Sequence, residues 1–157
     1  MEIHQIKSLF KAHAFHIARV KGWSTEGEGK PFYKAWLHAE QLLRLDMLII
    51  EYRKAFATDW QPLLGFDALN HLLFSRTGWP PTEIKQLSFA EILLVLHEDL
   101  KALQIPPESL ELPDSVTTGV ACEIHRREPY RTELPPCSAD EWDPTRSEII
   151  QGLRNPS

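Results

Sequence analysis

Residues Thr77 to Leu103 read TGWPPTEIKQLSFAEILLVLHEDLKAL, and this stretch decides the fold class. Gly78 supplies the left-handed residue on which helices commonly end. Pro80 and Pro81 seat a short helical turn, because proline pre-sets φ and lacks a donor that a first helical position would leave unpaired. Ser88 followed by Glu91 is a capping-box pattern, in which each side chain satisfies a backbone amide near the other. From there Phe89, Ile92, Leu93, Leu96, Leu100 and Leu103 recur at helical spacing and predict one helix over about 89–103. His97, Glu98 and Asp99 make its polar face, with Glu98 and Asp99 as solvated charges.

Working outward, the spacing of Ile3, Ile6, Phe10, Ala14 or Phe15, and Ile17 predicts a first helix over about 2–21. The glycines of Gly22–Lys30 break it, and Pro31 suits the first turn of a second helix running to Phe56. Across LLRLDMLII that helix is apolar nearly all round, as a central, enclosed helix is, and Trp36 reads as core. Glu40 and Arg44, four apart, are oriented for an ion pair that contributes about 0.3 kcal/mol on a helix surface. After a turn over Thr58–Pro62, Phe66, Leu69, Leu72, Leu73 and Phe74 mark a third helix, about 66–76. No βαβ alternation and no internal repeat is present. The expected fold is mainly α: a compact bundle of four to five helices followed by a Pro-rich acidic tail with little regular structure.

Charge divides the chain. Residues 1–103 hold 12 Lys+Arg against 12 Asp+Glu, and residues 104–157 hold 5 against 10, so the net charge of −5 belongs to the tail. Eight of the 12 prolines lie there as well, and proline ends regular structure. A helical domain over 1–103 and an acidic tail over 104–157 are therefore expected. Val116, Val120, Ile124, Tyr130, Trp142 and Ile149 suit the tail to lie on the domain or on a partner. An extended segment is expected over Val116–His125, and a short helix capped by Asp143, with Pro144 first, through Leu153. No apolar run approaches the roughly 20 residues of a membrane span. Charges and histidines through the first 21 residues do not make a secretory signal, and the expectation is a cytoplasmic protein. Cys122 and Cys137 lack metal-site spacing and read as free thiols.

Arg76-Thr77-Gly78, then Trp79-Pro80-Pro81-Thr82-Glu83-Ile84, then Leu87-Ser88 and a helix with Glu91 and paired leucines, resembles the tail assembly chaperones of tailed phages, small helical proteins. In that group a Trp-x-Pro-x-Glu turn before a leucine-rich helix is a familiar arrangement. The resemblance covers about 25 residues and implies a non-catalytic binder of unfolded or extended phage protein. It leaves the long second helix and the tail unaccounted for.

Signatures of chemistry are lacking. His13 and His16 lie three apart, but His38 and Glu40 are two apart and turn to opposite sides of a helix, so exposed or capping histidines are the expectation and no metal or cofactor site is assigned. No serine sits in a Gly-x-Ser-x-Gly elbow, and no glycine pattern makes a phosphate loop. Cys122 and His125 are a close thiol–imidazole pair without an orienting partner or oxyanion hole, and no catalytic residue is assigned. Lys7, Lys11, Arg19 and Lys21, with His4, His13 and His16, give the first helix a basic stripe. In an acidic chain, direct nucleic-acid binding is disfavoured, and the stripe reads as the dock for the tail.

Of the tryptophans, Trp23, Trp60, Trp79 and Trp142 stand at turns or in the tail, where tryptophan staples a loop or anchors a partner. The expected partner-binding residues are Trp79, Pro80, Glu83 and Trp142. The leading function is a non-enzymatic protein-binding module, a phage or prophage assembly chaperone or adaptor whose partner is another protein. The alternative is an inhibitor or immunity-type protein acting through its acidic tail on a basic partner.

Overall fold

Gly22 and Gly78 close the helices that precede them with φ values of 70° and 71°, a left-handed conformation that costs little without a Cβ. In the computed structural model, which describes residues 1–27, 33–116 and 134–156, these helices are α1 (Ile3–Lys21) and α3 (Phe66–Thr77). Between them lies α2 (Lys34–Phe56), the longest. Then come α4 (Pro81–Ile84), α5 (Phe89–Val95), α6 (His97–Ala102) and α7 (Thr145–Ile150), with 3-10 turns at Pro107–Leu110 and Ala139–Glu141. The protein is mainly helical, and no strand occurs among the described residues. No helix among them is long and apolar enough to cross a membrane.

The chain forms two compact units, Met1–Leu43 with Ile105–Trp142, and Arg44–Gln104 with Asp143–Ser157. One crossing falls between Gln104 and Ile105, where the composition shifts. The segment beyond it contributes to both units.

In the first unit Leu9, Ile17, Tyr33, Leu42 and Leu43 are among the most deeply buried side chains. Trp36 is core, as expected, with its ring 5.2 Å from that of Phe10 and its indole N–H donating to the Thr25 carbonyl at 2.9 Å. On α1 Ile6, Leu9, Phe10, Ala14 and Ile17 are buried, so that Ala14 and not Phe15 continues the core stripe, and Ile3 and Phe15 are 44% and 49% exposed. The basic row of α1 meets the later segment: Lys7 lies 3.4 Å from Glu111, Lys21 3.7 Å from Glu141, and the His16 ring is bonded to the Asp140 carbonyl at 3.0 Å.

In the second unit Leu45, Ile49, Leu69, Leu72, Leu73, Ile84 and Leu96 are fully buried. The expected capping box is in place, Ser88 Oγ accepting from the Glu91 amide at 3.1 Å and Glu91 from the Ser88 amide at 2.9 Å. Two expectations need correction. The helix expected over 89–103 is broken at Leu96 (φ −92°, ψ 4°), although no glycine or proline marks the break. Phe66 and Phe74, counted in the apolar set that marks α3, are 45% and 49% exposed; Phe74 stands about 100° round the helix from the buried Leu73. Arg44 on α2 donates to the carbonyls of Leu100 and Leu103, both at 3.0 Å.

α7 begins one residue later than expected, with Asp143 accepting from the Thr145 amide at 3.1 Å. It closes in a left-handed glycine, Gly152 (φ 76°), with Leu153 N–H on the Glu148 carbonyl at 2.8 Å. This turn places Glu148 in the interior. Its Oε1 accepts from the Gly65 amide at 2.5 Å and lies 3.6 Å from the Arg53 guanidinium, and Arg154 bonds to Oε2. Arg53 also donates to the Leu63 carbonyl at 2.9 Å and to Gln151. Leu63 has a positive φ of 57°, which costs a side-chain-bearing residue about 1–2 kcal/mol, and Arg53 and Glu148 hold the turn from its two ends. The extended segment expected from Val116 to His125 lies, after Val116, outside the described residues.

Removing one partner of a buried ion pair leaves the other charge uncompensated. Glu148→Ala is therefore expected to lower unfolding stability by about 3 kcal/mol. Urea denaturation measures it, and a change within about 0.5 kcal/mol, the size of an ordinary surface substitution, would contradict the pairing.

Candidate functional site

The joint between α3 and α4 is fixed by short-range contacts before any side chain is exposed on it. The Gly78 amide donates to the Phe74 carbonyl at 2.8 Å, Thr77 Oγ1 donates to the Leu73 carbonyl at 2.8 Å, and the Trp79 amide donates to Thr77 Oγ1 at 3.0 Å. Pro80 and Pro81 then set the backbone at the start of α4. Arg76, just before the joint, grips the Asp99 carboxylate with bonds of 2.9–3.2 Å. On this rigid frame Trp79 is 44% exposed, and Pro80 and Glu83 are exposed as well.

Beside the joint runs a groove of about 300 Å³ lined by Leu63, Asn70, His71, Phe74, Pro81 and Ile84, among others. Trp60, next in sequence to the lining residue Gln61, is 86% exposed. Its volume is at the lower limit for small-molecule pockets, about 300–1,000 Å³. The surface it presents is mostly apolar, although Gln61, Asp67, Asn70, His71 and Lys85 share the lining.

Of the expected partner-binding residues, Trp79, Pro80 and Glu83 come together at this joint. Trp142 does not. It is 5% exposed and belongs to the core of the first unit, so it staples the segment that carries it. The basic stripe of α1 borders a larger groove, about 640 Å³, in the first unit, where Lys7 and Lys11 share the lining with Glu26 and Glu111.

The histidine expectation also needs correction. His13 and His38 are 0% and 1% exposed, and neither sits on a solvated face. α2 presents His38 between two acceptors: Nδ1 lies 2.5 Å from Glu141 Oε1, and Nε2 lies 2.7 Å from the Pro135 carbonyl. A carbonyl only accepts, so Nε2 carries a proton. Burial pushes the Glu141 carboxyl up, but the bonds from His38, from the Ser138 amide (2.6 Å) and from Ser138 Oγ (2.9 Å) outweigh it and hold Glu141 below the ordinary carboxylate range. An ionised carboxylate then faces Nδ1, and His38 donates from both nitrogens. In the sequence the acidic neighbour of His38 is Glu40, whereas its partner stands 103 residues further on. The available signal was Ser138-x-x-Glu141, a second capping box.

Cys137 is buried beside this pair, with its thiol 3.3 Å from Gln41 Oε1. Burial, reinforced by the Glu141 charge, pushes the thiol far up from its ordinary value. The thiolate is the attacking form, so the arrangement does not make a nucleophile. Donor atoms of His38, Cys137 and Glu141 lie within 4.8 Å of one another, the set among the described residues that could hold a metal ion. Cys122 and His125 lie outside the described residues.

Comparison of the chain with family models, curated proteins and solved structures returned no match.

Because Glu141 is held below its unfolded value, near 4.5, it contributes stability that is present above that pH and lost as pH falls through its folded value. In chelator-containing buffer, the stability difference between the wild type and Glu141→Gln should therefore shrink as pH drops below 4.5. Unfolding at pH 7, 5, 4 and 3 measures it, and a constant difference would contradict the assignment.

Proposed function

We propose that the protein is a non-enzymatic protein-binding module, an assembly chaperone or adaptor of the kind represented by phage tail assembly chaperones. Its binding surface is the α3–α4 joint, and its partner supplies an apolar segment. The observation that carries this reading is the exposed Trp79 on a backbone already fixed by Gly78, Pro80 and Pro81, beside an apolar groove. A tryptophan that needs no ordering on binding retains more of its contact energy, which is why rigid aromatic residues dominate interface hot spots.

The distribution of exposed apolar side chains agrees. Of the large apolar side chains that are exposed, Phe56, Trp60, Phe66, Phe74, Trp79, Leu94 and Leu153 belong to the second unit, against Met1, Ile3 and Phe15 in the first. Monomeric proteins seldom leave large apolar patches uncovered without a use for them. The inhibitor alternative has less support, because tail carboxylates it would present to a partner are engaged within the chain: Glu111 with Lys7, Glu141 with His38, and Glu148 with Arg53 and Arg154.

Trp79→Ala and Phe74→Ala alter half-exposed side chains, so each should retain the helical signal and cooperative unfolding of the wild type. Capture of the partner from lysate of the encoding organism, quantified by mass spectrometry, should fall at least tenfold in Trp79→Ala, the effect of losing about 1.4 kcal/mol of binding. Capture equal to wild type in both variants would refute the surface. A partner that survives both substitutions and is released by moderate salt would point to the charge-driven inhibitor.

A further inference from the structure

We infer that His38, Cys137 and Glu141 form a binding site for one zinc-class divalent metal ion in the first unit. The donors come from separate places in the chain, one on α2 and two from the turn that runs from Cys137 to Glu141. All three residues are at most 3% exposed, and their donor atoms lie within 4.8 Å of one another. Imidazole, thiolate and carboxylate together suit zinc and its neighbours, whereas magnesium and calcium take oxygen ligands.

The surrounding bonds aim the donors. A metal-bound histidine usually donates its other ring N–H to a carbonyl or carboxylate, and Nε2 of His38 does so to Pro135 at 2.7 Å. That leaves Nδ1 as the ligand atom. Glu141 is held through Oε2 by the Ser138 amide and hydroxyl, with Lys21 on that same oxygen at 3.7 Å, which leaves Oε1 facing Nδ1. Nδ1 and Oε1 are 2.5 Å apart, sharing a proton. Zn–N and Zn–O bonds of about 2.0–2.1 Å in a tetrahedron set the two ligand atoms about 3.3 Å apart, so they need to part by less than 1 Å. Gln41 Oε1, already 3.3 Å from Cys137 Sγ, is on hand as a fourth ligand.

The exchange conserves charge. The metal-free cluster holds an imidazolium, a carboxylate and a thiol. Entry of a divalent ion displaces one proton from Nδ1 and one from Sγ, and the cluster stays neutral. An enclosed site of this kind is structural and ties the Cys137–Glu141 turn to α2.

The chain has 2 cysteines, so a Cys122→Ser full-length chain leaves Cys137 as its one thiol. Chelator-treated Cys122→Ser protein is titrated with cobalt(II), then zinc. The expected result is a thiolate-to-cobalt charge-transfer band saturating at one ion per chain, bleached by zinc, with native mass spectrometry showing one zinc gained and two protons lost. Zinc should also raise the melting temperature. Absence of the band in Cys122→Ser protein, or a melting temperature indifferent to zinc and chelator, would overturn the inference.

Discussion

Glu141 and Glu148 are carboxylates without solvent exposure, and such groups stay buried only where partners replace the water they lose. Glu141 finds His38, Lys21 and the Ser138 cap in the first unit. Glu148 finds Arg53, Arg154 and the Gly65 amide in the second. Buried pairs of this type add little net stability, because desolvation offsets their attraction, but a wrong arrangement leaves a charge stranded at a cost of several kcal/mol. They fix where the C-terminal segment goes. The excess of acid after residue 104 is thus in part an internal matching of charge.

The elements legible in the sequence were those specified by neighbours. Gly78 as a helix end, Pro80 and Pro81 at the start of α4 and the Ser88–Glu91 box depend on contacts within a few residues, the enclosed α2 shows as a run that is apolar nearly all round, and all are found. The return of the tail depends on pairs such as His38–Glu141, 103 residues apart, and locally each member looks like any other polar side chain. The break at Leu96 and the outward turn of Phe66 and Phe74 fail for a related reason. Periodicity gives the face of a helix but not which of two adjacent apolar residues the surroundings cover.

The candidate surface was legible to the same extent. Trp79, Pro80 and Glu83 belong to a turn whose geometry is local, and their exposure follows from it. Trp142 sits in a segment whose position is set by the Glu141 pairing next to it, so its burial could not be read from residues 138–144 alone. A surface tryptophan and a core tryptophan differ in tertiary surroundings, not in composition.

The most direct measurement is circular dichroism and thermal unfolding of a chain ending at Leu103, beside the full chain. The burial of Glu141 and Glu148 against His38 and Arg53 predicts that the shortened chain loses cooperative unfolding, because both buried cations are stripped of their partners. A shortened chain that keeps the helical signal and melts cooperatively at the temperature of the full protein would contradict it, and would make residues 104–157 an appendage.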